Sequence, residues 1–463
     1  MRWHWKVLIG LCATAASLIL WFALRGGIAG PLPIADLKSH VLYMKADKIH
    51  PLPPQYWVVL PEKVVGPAKI TSQSDGDKTA ASRNTQGYLG AEACAECHRG
   101  RYETFKETSH HRTSMRPTLE TVRGSFEPHR DTLKTSRSKL QFSMESHLDG
   151  LYQRVNVNDE GKTYTHAERF DIITGSGTHG QSYLYWKHGG LYQLPVSYFA
   201  SLNGWVNSPG YTEGTANFSR AIRARCLECH ATYFEHQPET MNEYRSDNFI
   251  LGISCERCHG PGAEHVAFHR AHPGEKHGSH IVQPAMLPVE RRHDICRQCH
   301  SRSGASLREA FSYRPGEVLS KYLDMTVDEE VAPGTSGIHT ANQFARLKMS
   351  KCFQQSPQMS CNDCHNPHRN EHGQLALFSE RCQKCHQPSQ CGMSKTLGKR
   401  IERNCIDCHM ASRFDASIKV KTATATVSNS MRDHAITVDK SLAEKLVKQG
   451  LFDEKGAGSS VPP

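Results

Sequence analysis

The apolar positions of this chain are unevenly spaced, and each spacing predicts a different element. One apolar stretch, Val7 to Leu24, is 18 residues long, with Trp3, Trp5 and Trp21 near its ends. That length suits one membrane helix of about 20 residues with aromatic side chains at the interfaces. Arg2 and Lys6 precede the run and Arg25 follows it. The charge bias predicts an N-terminus inside and the remainder outside, with a cleaved signal segment over 1–30 as the alternative. Residues 31–86 lose all periodicity and carry Pro31, Pro33, Pro51, Pro53, Pro54, Pro61 and Pro67, which reads as a stalk. A short amphipathic helix is predicted through Tyr102, Phe105 and His111. Strict alternation over Leu140–Met144, Leu151–Val157 and Tyr183–Trp186, with glycines between, predicts a small antiparallel β insertion at about 120–215. A last short helix is expected near Lys440–Leu451, within a C-terminal segment 437–463 that ends in a disordered tail.

Composition changes this picture. Only 38% of the 463 residues are hydrophobic and 8% are aromatic, a thin supply for a core of this size. A chain this long either stays largely unfolded or fills its core with something other than side chains. The 17 Cys and 28 His favour the second. So many thiols would be an oxidation liability in the cytosol. There is no glycine repeat, and one long apolar run excludes a polytopic membrane protein.

Fourteen of the cysteines form seven Cys-x-x-Cys pairs, each followed at once by His: Cys94/Cys97/His98, Cys226/Cys229/His230, Cys255/Cys258/His259, Cys296/Cys299/His300, Cys361/Cys364/His365, Cys382/Cys385/His386 and Cys405/Cys408/His409. At this composition roughly 0.04 such motifs would arise by chance. CxxCH is the signature of c-type haem attachment. Residues i, i+3 and i+4 share one face of a helical turn, so two thiols can form thioethers while the histidine reaches the iron. Zinc knuckles, disulfides and iron–sulfur clusters do not demand a histidine at the next position every time. Seven covalent haems c, with their iron, would then be the core. Their propionates would also turn the formal +10 into about −4, so the basic pI implies no nucleic-acid partner.

The stretches Ser109–Met115, Cys258–His265, Cys364–His368, Cys408–Met410 followed by Asp433-His434, Gln193–Pro195 and Trp205–Tyr211 resemble the periplasmic multihaem cytochromes c. In particular, the chain is similar to the tetrahaem cytochrome c of nitrifying bacteria and, more distantly, to multihaem nitrite and hydroxylamine enzymes. The resemblance covers about 88–436. With the spacing, it implies His111, His265, His368 and His434 as distal ligands. His179, His293 and His339 are weaker candidates, His110, His269 and His272 are alternatives to their neighbours, and Met393 and Met410 are candidate sulfur ligands. Cys352 and Cys391 are left over and are expected to pair as a disulfide.

The expected fold class is mainly α with little regular secondary structure, packed around seven haems over 87–436, with the β insertion and an N-terminal transmembrane helix. The expected function is electron transfer through bis-histidine haems, periplasmic and membrane-anchored, with a quinol dehydrogenase or a periplasmic cytochrome as redox partner. The alternative is a multihaem oxidoreductase acting on small nitrogen or sulfur compounds at one open haem. Related nitrite reductases place Lys where the motif histidine stands, and no CxxCK occurs here. Tyr183, Tyr185, Tyr192, Tyr198 and Tyr211 in the insertion are the candidate tyrosines for the alternative.

Overall fold

The computed structural model describes residues 57–58, 87–329 and 339–450, all within one compact unit of the chain. The predicted membrane run Val7–Leu24 and the tail beyond 450 lie outside the described residues. Of the proline-rich segment 31–86, only Trp57–Val58 is described, as a strand parallel to Ala216–Asn217. Among the described residues no helix is long and apolar enough to cross a membrane.

The expectation of a mainly α chain is corrected. Strands account for 26% and helices for 32%, in several antiparallel sheets, and the expected N-terminal membrane helix falls outside the described residues. The physical reason lies in the motifs themselves. A CxxCH motif needs only one helical turn, so Glu256–His259 and Ile406–His409 are four residues each. Strands meanwhile form well outside the insertion, at Ala231–His236 with Tyr244–Leu251 and at Ser412–Lys421 with Thr426–Arg432.

Alternation builds the first sheet. Thr132–Lys134, Leu140–His147, Gly150–Asp159 and Lys162–Arg169 pair antiparallel in that order. Phe142 sits opposite Val155 and Leu140 opposite Val157, and all four are buried. The Asp159–Lys162 turn places Glu160 and Gly161 at φ +47 and +76, the left-handed pair that a two-residue hairpin favours. The second, seven-stranded sheet has a main path Gly204–Asn207, Val196–Phe199, Gly180–Lys187, Ile172–Thr174, Ser114–Met115. Gln153, fully buried, joins the sheets by bonding both the N–H and the carbonyl of Val196 at 2.8 and 3.1 Å.

The second sheet anchors the motifs by packing. Leu184 and Leu191 share a buried cluster with Tyr233, Phe234 and Phe311 and with Leu227, which lies inside the second motif. Full burial of each such side chain contributes about 1.5–3 kcal/mol. At the other side Val206 packs on Val420, and the Asn207 side chain donates to the Lys421 carbonyl at 2.8 Å.

Candidate functional site

Local backbone geometry prepares each motif. The histidine N–H donates to the carbonyl of the first cysteine at His259 (3.0 Å), His365 (2.9 Å), His386 (3.0 Å) and His409 (3.1 Å). His98, His230 and His300 lie within longer helices, Ala91–Phe105, Ala224–His230 and Val289–His300. This closes one turn and sets both thiols and the imidazole on one side. All fourteen motif cysteines and all seven motif histidines line a single cavity of about 4440 Å³. Shared among seven motifs, that is about 630 Å³ each, within the roughly 300–1,000 Å³ of a cofactor pocket.

Four motif histidines face a second histidine across this cavity. The ring centres are 6.4 Å apart for His98 and His265, 6.1 Å for His259 and His368, 6.1 Å for His300 and His110, and 5.9 Å for His365 and His434. An iron bound by two imidazole nitrogens at about 2 Å each needs ring centres roughly 6 Å apart. The donor set and its spacing therefore fit a six-coordinate haem iron at these four motifs. Among the described residues, no ring faces His230, His386 or His409.

Hydrogen bonds and burial set the ring chemistry. The Nδ1 atoms of His259, His265 and His409 lie 2.9, 2.7 and 2.9 Å from the carbonyls of Val282, Ser279 and Thr437. His300 reaches the Thr340 carbonyl at 3.3 Å, and His230 the Thr113 hydroxyl at 3.2 Å. A donating Nδ1–H leaves Nε2 with its lone pair free, as a metal ligand requires. Burial pushes both His110 and His434 down to about 4, and it also lowers His230, His259, His300, His365 and His368. All of these are neutral at pH 7, the ligand form.

The other candidate histidines are placed differently. His111 lies edge-on to Tyr102 and Phe105, while its neighbour His110 turns to His300. The Nε2 of His293 is 2.9 Å from the Met359 carbonyl. His339 accepts the Ala341 N–H at Nδ1, which puts its proton on Nε2. His179 lines the cavity and is lowered by burial and by His372, with Asp415 opposing. His269 stands edge-on to His265 at 4.5 Å, and His272 stacks on Phe268.

The thiols of different motifs meet in a connected series. Cys94 lies beside Cys255, Cys229 beside Cys299, and Cys296 beside Cys361. Cys258 lies within electrostatic reach of Cys296, and Cys382 within reach of both Cys364 and Cys405. In space the motifs thus run first, third, fourth, fifth, sixth, seventh, and the second branches off the fourth.

Three further sets of sequence candidates are placed as follows. The five insertion tyrosines are all buried in the sheets, and none is among the residues lining the cavity. Tyr183 donates to the Gln181 side chain and Tyr211 to the Gln193 carbonyl. Met393 and Met410 line the cavity, and Met393 also packs beside Leu397, Ile401 and Leu446. The expected disulfide is absent: Cys352 and Cys391 are both free thiols. Cys352 neighbours Cys364 and Cys382, whereas Cys391 neighbours Cys405 and Cys408, so different motifs surround the two.

A family model described as cytochrome c554 and c-prime matches residues 93–168 and 208–260. The multihaem cytochrome MtrA of Shewanella baltica is 23% identical over 198 residues, 38% of this chain and 55% of that protein. The dissimilatory sulfite reductase MccA of Wolinella succinogenes is 21% identical over 405 residues, 70% of this chain and 50% of that protein. The chain spans about half the length of these curated relatives. Among solved structures, the outer cell wall cytochrome OcwA aligns with a TM-score of 0.48 at 17% identity, covering 76% of this chain and 80% of that one. An undecahaem S-layer cytochrome of Carboxydothermus ferrireducens aligns with a TM-score of 0.36 at 14% identity, covering 79% and 60%.

Proposed function

We propose that this chain, which belongs to the multihaem c-type cytochromes, holds seven haems c and carries electrons between redox partner proteins outside the cytoplasm. The observation that carries this reading is the connected series of motifs, whose thiols lie within electrostatic reach of one another from the first motif to the seventh. Haem iron supplies one-electron chemistry when bound. The chain's part is to tether, space and electrically insulate. The fourteen motif cysteines would tether, and the seven motif histidines would ligate from one side. His265, His368, His110 and His434 would ligate from the other side at the first, third, fourth and fifth motifs. Each of these four stands opposite a motif histidine across the cavity, so those irons would be six-coordinate, closed to substrate and suited to transfer. Redox partners of the kind that serve multihaem cytochromes follow, and the periplasm is the proposed compartment.

A second reading is oxidation or reduction of a small sulfur or nitrogen compound at one haem. It is favoured by His230, which no second ring faces among the described residues and whose Nδ1 meets the Thr113 hydroxyl at 3.2 Å, and by the likeness to a protein named as a sulfite reductase. Low-temperature EPR of the oxidised holoprotein separates the two. The transfer reading predicts low-spin bis-histidine signals from the haems of the first, third, fourth and fifth motifs, and no spectral change on adding sulfite or nitrite. A high-spin signal that sulfite or nitrite perturbs would overturn it in favour of catalysis.

A further inference from the structure

The second, third and fourth motifs meet not only at their thiols but through the residues between their cysteines. Arg257, between Cys255 and Cys258, is 4% exposed. Its Nη2 donates to the carbonyl of Glu228, inside the second motif, at 2.9 Å. Its own carbonyl accepts from Gln298, inside the fourth motif, at 3.2 Å. The guanidinium lies 5.8 Å from the Phe311 ring centre. Its Nε, the Gln298 Oε1 and the Tyr313 hydroxyl are buried without a protein partner. Their three residues line a cavity of about 10 Å³, close to the smallest that holds one water.

The charges here do not cancel. Glu228 is matched by Arg225, whose Nη1 lies 3.5 Å from Oε2, and it also accepts the Phe311 N–H at 2.8 Å. Glu256 turns away and accepts the N–H groups of Leu89, Gly90 and Gly262 at 2.8 to 2.9 Å. Asp294, behind the junction, is held by Arg291 and Arg297. Among the described residues Arg257 has no carboxylate in contact, and its field reaches the thiols of Cys229, Cys258 and Cys299, one in each motif. A guanidinium stays protonated in proteins, and a charge away from water is poorly screened.

We infer that Arg257 is a potential-setting residue. Its buried positive charge raises the reduction potentials at the second, third and fourth motifs above those of the remaining four. Ferric haem carries one more positive charge than ferrous haem, so a nearby buried cation favours the reduced form. The branch point of the series then becomes the place where electrons collect. This rests on the haem reading above.

The test is a spectroelectrochemical titration of the holoprotein against its variants. R257Q shifts about three sevenths of the titration amplitude to lower potential and leaves the rest in place. R257K keeps the wild-type curve. E228Q removes the opposing charge and shifts the same fraction upward, and it alone carries the test if R257Q fails to load haem. Opposite shifts cannot arise from a general loss of structure. An R257Q curve that superimposes on wild type, or an E228Q shift in the same direction as R257Q, would overturn the inference. A pyridine haemochrome assay on each sample separates the two levels. Fewer than seven haems in the wild type refutes the haem reading, while seven haems with unmoved potentials refutes only the role of Arg257.

Discussion

His434 owes its position to a buried ion pair, and breaking that pair should loosen one specific ligand. Arg346 and Asp433 are 8% and 4% exposed. They meet through two bonds, Nε to Oδ1 at 2.9 Å and Nη2 to Oδ2 at 2.5 Å. Asp433 also accepts the Ala435 N–H, and the next carbonyl, that of His434, accepts the Ser350 hydroxyl at 2.7 Å. Burial pushes the Asp433 carboxyl up, yet the hydrogen bonds from Arg346 and Ala435, with Arg413 nearby, outweigh it and hold it below the usual range. Arg346→Met leaves that carboxylate with only the half-exposed Arg413, whose Nε is 3.3 Å from Oδ2, a loss of about 1–3 kcal/mol. At 1.4 kcal/mol per tenfold, the ligated-to-open ratio of His434 would fall by about one to two orders of magnitude. The assay is EPR of the oxidised holoprotein, in which the variant gains a high-spin signal assigned to the fifth motif. Arg346→Met with Asp433→Leu should recover most of the low-spin signal, because the orphaned charge is gone. An R346M protein with the wild-type spectrum and thermal stability would refute the reasoning.

Three further outcomes are expected. His110→Ala converts the fourth-motif haem to high spin while His111→Ala does not, because only His110 faces His300; equal EPR spectra for the two variants would contradict this. Gly252→Ala destabilises the fold by several kcal/mol, since Gly252 sits at φ +67 and a Cβ there would meet the His111 carbonyl oxygen at 2.2 Å; a thermal melt within 1 °C of wild type, far less than roughly 2–4 °C per kcal/mol in a mid-sized domain, would be inconsistent with that. The hydrogen bonds from Arg154 hold Glu145 down at about 2, against burial, from the usual 4.5. The pair therefore stabilises the insertion fully above pH 4.5, and this contribution fades as pH falls toward 2. With both side chains partly exposed it contributes about 1 kcal/mol, and Arg154→Ala should flatten the acid limb of stability measured by denaturant titration.

What the sequence disclosed was the chemistry, and what it withheld was direction. The seven motifs were readable because covalent attachment demands fixed spacing within one turn. The alternation at Leu140–Met144 and Leu151–Val157 likewise announces strands that the structure contains. Axial partners are a different matter. His110 and His111 are adjacent in sequence, and one peptide unit sends their rings to opposite surroundings, so spacing could not choose between them. The extent of strand was partly hidden because 231–251 carries little alternation, whereas Phe414, Ala416, Ile418 and Val420 do alternate and were a legible strand signal outside the expected insertion. The Cys352–Cys391 expectation failed because closeness along the chain says nothing about which motif each thiol lies beside. The buried Arg257 was invisible for a similar reason: inside a CxxCH motif the two middle residues look unconstrained, yet here one of them is enclosed by two other motifs.

The most direct test of the account is the intact mass of the holoprotein under denaturing conditions, where thioether-bound haem stays attached and any other haem is lost. The account predicts a chain heavier than its polypeptide by seven haems, with each haem mapped by proteolysis to one CxxCH motif. A mass showing fewer than seven, or a polypeptide that sheds its haem on unfolding, would contradict it.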